Sequence, residues 1–310
     1  DIVCTPSHHQ FVPSLDTPSA RGGHMNSTMG PSLHGETPES VHARRIILTL
    51  VFIFLGLFLL LPLIAIFANA LSEGLRVYFA ALWNPDARSA LLLTLLATGV
   101  AVPLNTAFGM AAAWAVSRFR FPGRNVLLTL IDLPFSISPV IAGLIFVLLL
   151  GAHGWWGPWL TAHGISVIFA VPGILLATTF VTVPYVAREL IPLMQAQGTE
   201  EEEAAHVLGA NGWQMFWRVT LPKIKWGLLY GVVLSSARAV GEFGAVSVVS
   251  GHIRGRTNTV PLHIEVLYDD YQFAAAFAVA SLLVVGALLS LVVKAWLAGR
   301  FRQGNEKETT

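Results

Sequence analysis

Three stretches of this chain carry no charged residue over lengths that a water-soluble domain does not sustain: residues 46–72, 89–117 and 133–187. A helix of about 20 apolar residues crosses the hydrocarbon core of a bilayer. Lipid offers the backbone no hydrogen-bond partners, so a spanning segment of this length must close its bonds internally as a helix. The first two runs therefore each read as one span, while 133–187 is too long for one. It is interrupted at 151–159 (GAHGWWGPW) by turn formers and by Trp155, Trp156 and Trp159, side chains that settle at a membrane–water interface.

The rest of the chain divides on the same criterion. Spans are expected at 44–72, 89–116, 126–150, 167–190, 227–250 and 273–297, with a polar segment at 197–226 and a tail at 299–310. The fold class is thus an all-α integral membrane protein of six transmembrane helices, in contact with membrane lipid. Residues 1–43 are rich in Ser, Pro, Gly and His without apolar periodicity and read as a disordered leader, in which Met25 and Met29 are candidate start sites. Pro134 and Pro139 flank Ser136 and Ser138, so the third span is expected to kink there.

Lysine and arginine placement orients the spans. With the N-terminus inside, and leaving aside Arg21 in the leader and Arg238 inside a span, thirteen basic residues fall on the inner side: Arg44, Arg45, Arg118, Arg120, Arg124, Arg188, Arg218, Lys223, Lys225, Lys294, Arg300, Arg302 and Lys307. The outer side holds four, Arg76, Arg88, Arg254 and Arg256. Both termini are expected in the cytoplasm, in a multi-pass plasma-membrane protein.

Composition and motifs exclude several functions. Of 310 residues only 12% are charged, about half the usual share of ~25%. A formal net charge of +1 offers no basic footprint for nucleic acid. Cys4 is the only cysteine, which rules out an intrachain disulfide. A phosphate-binding P-loop needs Lys followed by Ser or Thr, whereas the four lysines here precede Ile224, Trp226, Ala295 and Glu308. No His-Glu-x-x-His zinc helix occurs, and no metal or cofactor site is expected on this chain.

The polar segment is the most informative. Four acids, Glu200 to Glu203, lead into Ala204 and Ala205, which suits a helix N-terminus, where carboxylates meet the positive end of the dipole. Gly209 and Gly212 are expected to end that helix in a tight turn. Trp213, Phe216 and Trp217 then run to Leu221 and Pro222. One reading is a solvated connection between spans; large aromatics beside acids favour a docking surface.

The spacing Glu203-Ala204-Ala205, three residues, Gly209, nine residues, Val219, one residue, Leu221-Pro222 resembles the EAA loop of ABC-importer permeases, with Val219 where that family usually has Ile. Finer matches at 132–143 (DLPFSISPVIAG), 237–255 (ARAVGEFGAVSVVSGHIRG) and 259–271 (TVPLHIEVLYDDY) make residues 45–300 similar to the sulfate/thiosulfate subunits of that family. Molybdate permeases share the core of the second stretch. The resemblance implies a type I ABC-importer permease core at 86–298, in which Glu203, Ala204, Ala205, Gly209, Leu221 and Pro222 couple the spans to an ATPase. It also implies the partners: a sister permease in a heterodimer, a dimeric cytoplasmic ATPase holding ATP and Mg, and an extracytoplasmic sulfate-binding protein. A permease for molybdate or another tetrahedral oxyanion, or an ion-coupled secondary transporter, stands as the alternative.

Charge inside the spans gives a separate clue. Arg238 and Glu242 are four apart in the fifth span and are expected on one helix face. Ionisable groups at depth face a bundle interior or an aqueous path. The pair either locks helices together or lines an anion pathway, with Phe243 as its apolar gate. Asp132, near the inner end of the third span, is expected at the interface or paired with a basic residue.

Overall fold

The computed structural model describes residues 38–308, with side chains from 43 to 299. The expected leader therefore lies largely outside the described residues, although helix α1 (Pro38–Leu55) begins before its expected end at residue 43. Two compact units meet in sequence at Leu55 and Gly56. The first apolar span, Ala43–Ala70, crosses that boundary. It contains a π-helical turn at Gly56–Leu60 and continues as α2 (Leu61–Ala70). Nothing in its most apolar window is buried. An apolar helix of this length suits a lipid environment.

The second unit continues with α3 (Leu75–Trp83) and α4 (Pro85–Arg118). Asn84 caps α4 by accepting the Asp86 N–H at 2.9 Å. Pro85 occupies the first helical position, where no N–H is missed. Asp86 and Arg118 stand in the first and last turns, each matched to the dipole end it faces. Then come α5 (Arg124–Ser136), α6 (Pro139–Leu150), α7 (Gly157–Ala162) and α8 (Val171–Ala196). The polar segment holds α9 (Glu200–Val207), α10 (Gly212–Met215) and a π-helical turn at Phe216–Thr220. The chain ends in α11 (Leu221–Val240), α12 (Gly244–Ser250), α13 (Val260–Asp269) and α14 (Phe273–Glu308).

Helices α4 and α8 form the spine. Their seam is built from small residues, and a Cβ on Gly109 would stand 2.9 Å from the Ala187 backbone nitrogen and from Val186 Cβ. Close backbone approach of this kind packs helices where lipid supplies no hydrophobic drive. Buried Asn105 crosses the seam, donating to Thr182 Oγ1 at 2.7 Å and to the Thr179 carbonyl at 3.0 Å. At the Arg118 end, Ala113, Val116, Ile131, Val186, Leu190, Met194 and Ile224 join α4, α5, α8 and α11. Leu93, Ile174, Val181, Val246, Val249 and Leu262 join α4, α8, α12 and α13 further along. A third cluster unites Ala87 and Ala90 with Val260, Leu267, Ala276 and Val279.

By length and composition four helices can cross a membrane, or six if each of two bent pairs is one span. The bent pairs correct the sequence-based expectation. Residues 126–150 are not one kinked helix: α5 and α6 meet at 107°. Pro139 biases Ser138 to an extended backbone (φ −56°, ψ 134°) and removes a donor, so the helix cannot run through. Residues 227–250 likewise divide at 241–243, where the chain bends by 49°.

Three further differences concern helix ends and connections. The helix expected over 167–190 runs from Val171 to Ala196, and α14 continues through the expected tail to Glu308. The 251–272 connection contains α13, whose Val260, Leu262, His263 and Leu267 are buried. Ten residues are too few to span, so a hydropathy argument passes over a helix that tertiary packing holds.

Candidate functional site

Two places carry the residues singled out from the sequence. The first is the segment between α8 and α11. All four acids stand in the first turn of α9. Helix α9 ends at Val207, and Gly209 reverses the chain at φ +87°, with its N–H donating to the His206 carbonyl at 2.9 Å and the Ala210 N–H to Ala205 at 3.0 Å. A Cβ on Gly209 would meet nothing within 4 Å, so backbone conformation, not space, calls for glycine there. Gly212 has a different role from the one expected: it opens α10. Asn211 caps it in a reciprocal capping box with Gln214, at 2.8 and 3.1 Å.

The four glutamates have separate fates. Glu203 is exposed and accepts the Thr199 hydroxyl at 2.6 Å. Glu201 meets Lys223 at 2.7 Å. Glu202 alone is buried, facing the Arg118 guanidinium, with Nε to Oε2 at 2.7 Å and Nη2 to Oε1 at 3.0 Å. The sequence marks Arg118 only as an inner-side charge and does not separate Glu202 from its neighbours. Ala204 is exposed and Ala205 half-buried; Leu221 is half-buried and Pro222 exposed at the start of α11. The tip presents Val207 and Leu208, 86% and 87% exposed, and Trp213, 72% exposed. Trp213 and Trp217 stack edge-on at 5.6 Å.

The second place is the break at 241–243. Arg238 and Glu242 pair as expected, at 2.5 Å, but not along one helix face. Helix α11 stops at Val240, Gly241 caps it, and Glu242 lies in the break. Its second carboxylate oxygen accepts the Ala245 N–H of α12 at 2.9 Å. Glu242 thus joins the two half-helices, while Arg238 keeps 29% of its side chain exposed against 1% for Glu242. Phe243 is exposed beside them. The two breaks lie against one another: a Cβ on Gly244 would stand 3.0 Å from Pro139 Cβ, and one on Gly143 2.7 Å from the Ala245 carbonyl.

Asp132 pairs with Arg188 of α8 at 2.9 Å, and Arg188 stacks over Phe135. His263, buried in α13, is pushed below its usual 6.5 by burial first of all; Asp86 opposes this and Arg254 adds to it. Among the described residues no group of three or more His, Cys, Asp or Glu is arranged to hold a metal.

Broken spans packed break to break, small-residue seams and a capped, apolar-tipped connecting segment stand in a chain whose family match and fold make it an ABC-transporter permease of the type I fold. The chain belongs to the binding-protein-dependent transport system inner membrane components, whose family profile matches residues 105–303. Among its relatives it is 51% identical over 263 residues to the "Sulfate transport system permease protein CysW" of Synechocystis sp., covering 85% of this chain and 95% of that protein. Identity to the Escherichia coli K12 protein of the same name is also 51%, over 249 residues, 80% of this chain and 86% of that protein. The E. coli "Sulfate transport system permease protein CysT" is 39% identical, with 80% and 90% covered. The same fold occurs in a "bacterial ABC transporter involved in the import of the acidic polysaccharide alginate", at a TM-score of 0.69 and 19% identity, with 86% of this chain and 96% of that one aligned.

Proposed function

We propose that this chain is one half of the membrane channel of an ATP-driven importer of sulfate and thiosulfate, working by alternating access. The observation that carries the substrate is the 51% identity to sulfate permeases named CysW, which exceeds the identity to the CysT permease by twelve points. A CysT-like sister subunit is the expected partner in a heterodimer. The segment 197–226 faces the cytoplasm, as do both termini, and its exposed Val207, Leu208 and Trp213 seat in a dimeric ATPase that binds ATP with Mg. Glu203, Ala204, Ala205 and Gly209 carry the stroke into the spans. An extracytoplasmic binding protein delivers the anion.

At the break, Arg238 draws the dianion along the path. Glu242 is already committed to capping α12 and pairing with Arg238, so the site holds less than a full positive charge and lets the ion leave. Phe243 closes the path as an apolar gate.

Labelled-sulfate uptake by cells lacking the chain, with and without its restoration, tests this reading. Restored uptake that resists excess molybdate is expected. Preferential inhibition by molybdate would move the substrate, and absence of uptake with all partner subunits present would sink the proposal.

A further inference from the structure

We infer that Glu202 is the positioning residue that ties the docking helix α9 to the spans, through Arg118 and Thr220. The inference rests on the reading of 197–226 as the ATPase dock. Helix α9 has eight residues, and helices below about 12 residues do not hold themselves in water. Something must fix it if a push at its tip is to reach the membrane.

Glu202 is suited to that task. Its Oε1 accepts Arg118 Nη2 at 3.0 Å and the Thr220 hydroxyl at 2.7 Å, and Oε2 stands 2.7 Å from Arg118 Nε as an ion-pair contact. Arg118 Nη1 donates to the Met194 carbonyl at 3.1 Å. Arg118 closes α4, Met194 lies near the end of α8, and Thr220 is the last residue of the π-helical turn leading into α11. One carboxylate therefore gathers the ends of three membrane helices. The arginine and glutamate side chains are only 10% and 9% exposed. A buried, charge-assisted arginine–carboxylate contact that also accepts a hydroxyl holds its partners in place, which a solvated pair such as Glu201–Lys223 does not. The π-helical turn, a form concentrated at functional sites, ends with Thr220 buried against this carboxylate. Displacement of α9 is then passed to α4, α8 and α11 together.

The test uses the complete complex, with sister permease, ATPase and binding protein, in proteoliposomes. Two quantities are read: ATPase retained on the purified complex, and sulfate moved per ATP hydrolysed. Glu202→Gln is expected to retain the ATPase while sulfate per ATP falls about tenfold, the scale of one lost hydrogen bond to a charged group. The swap Glu202→Arg with Arg118→Glu is expected to regain part of that loss. An unchanged ratio in Glu202→Gln overturns the inference. So does a swap no better than the single variant, or loss of the ATPase from both. Leu208→Asp, at the exposed tip, is the separate control: if it keeps its ATPase, the dock reading fails, whatever Glu202 does.

Discussion

At the scale of single residues, conformation and burial decide what can be changed. Gly209 sits at φ +87° with open space around it, so a β-branched side chain is opposed by backbone strain of about 1–2 kcal/mol and not by collision. Gly209→Val should leave the protein at normal levels in the membrane yet sharply reduce sulfate uptake. Arg238 and Glu242 respond differently because only one is buried. Arg238→Gln strands a carboxylate at 1% exposure, a loss of about 3 kcal/mol or more. The double variant Arg238→Gln, Glu242→Gln should recover the melting temperature of the complex but not its transport. Recovery of both would make the pair a structural lock only. His263 gives a pH signature. Burial holds its folded pKa below 6.5, so above pH 6.5 it is neutral in both states and stability is complete. As pH falls below 6.5 the unfolded chain takes up a proton that the folded chain refuses, and stability declines until the folded pKa is passed. Melting curves between pH 7.5 and 5.5 should show that decline, and His263→Gln should lessen it.

At the scale of elements, glycine substitutions in one helix separate packing from propensity. On α4, a Cβ at Gly109 meets the α8 backbone at 2.9 Å, whereas one at Gly99 meets nothing within 4 Å. Gly109→Ala should lower stability by about 1–3 kcal/mol, and Gly99→Ala should raise it by up to about 1 kcal/mol. Equal effects in thermal melts of the purified protein would contradict the α4–α8 seam. The same elements explain how far the sequence could be read. Charge-free runs located the apolar spans because lipid imposes length and neutrality on them. Pro139 signalled a disturbance in 126–150, yet no local rule distinguishes a kink from a 107° break; that angle depends on α6 packing against α12. Helix α13 escaped because ten residues with buried polar flanks resemble a loop until α4 and α14 cover them. Glu202 was one acid in a row of four, and its partners Arg118 and Thr220 stand 84 and 18 residues away.

At the scale of the whole molecule, the exposed apolar residues at the 197–226 tip leave a surface suited to a partner chain. The proposed function assigns that surface to an ATPase. On that proposal, sulfate crosses only when ATP is hydrolysed by a partner seated on that tip. Sulfate entry into proteoliposomes holding the complete complex, with binding protein outside the transporter's receiving face, measures this directly. Entry is predicted to require ATP and binding protein and to stop when Leu208→Asp detaches the ATPase. Sulfate accumulation driven by an ion gradient without ATP would contradict it.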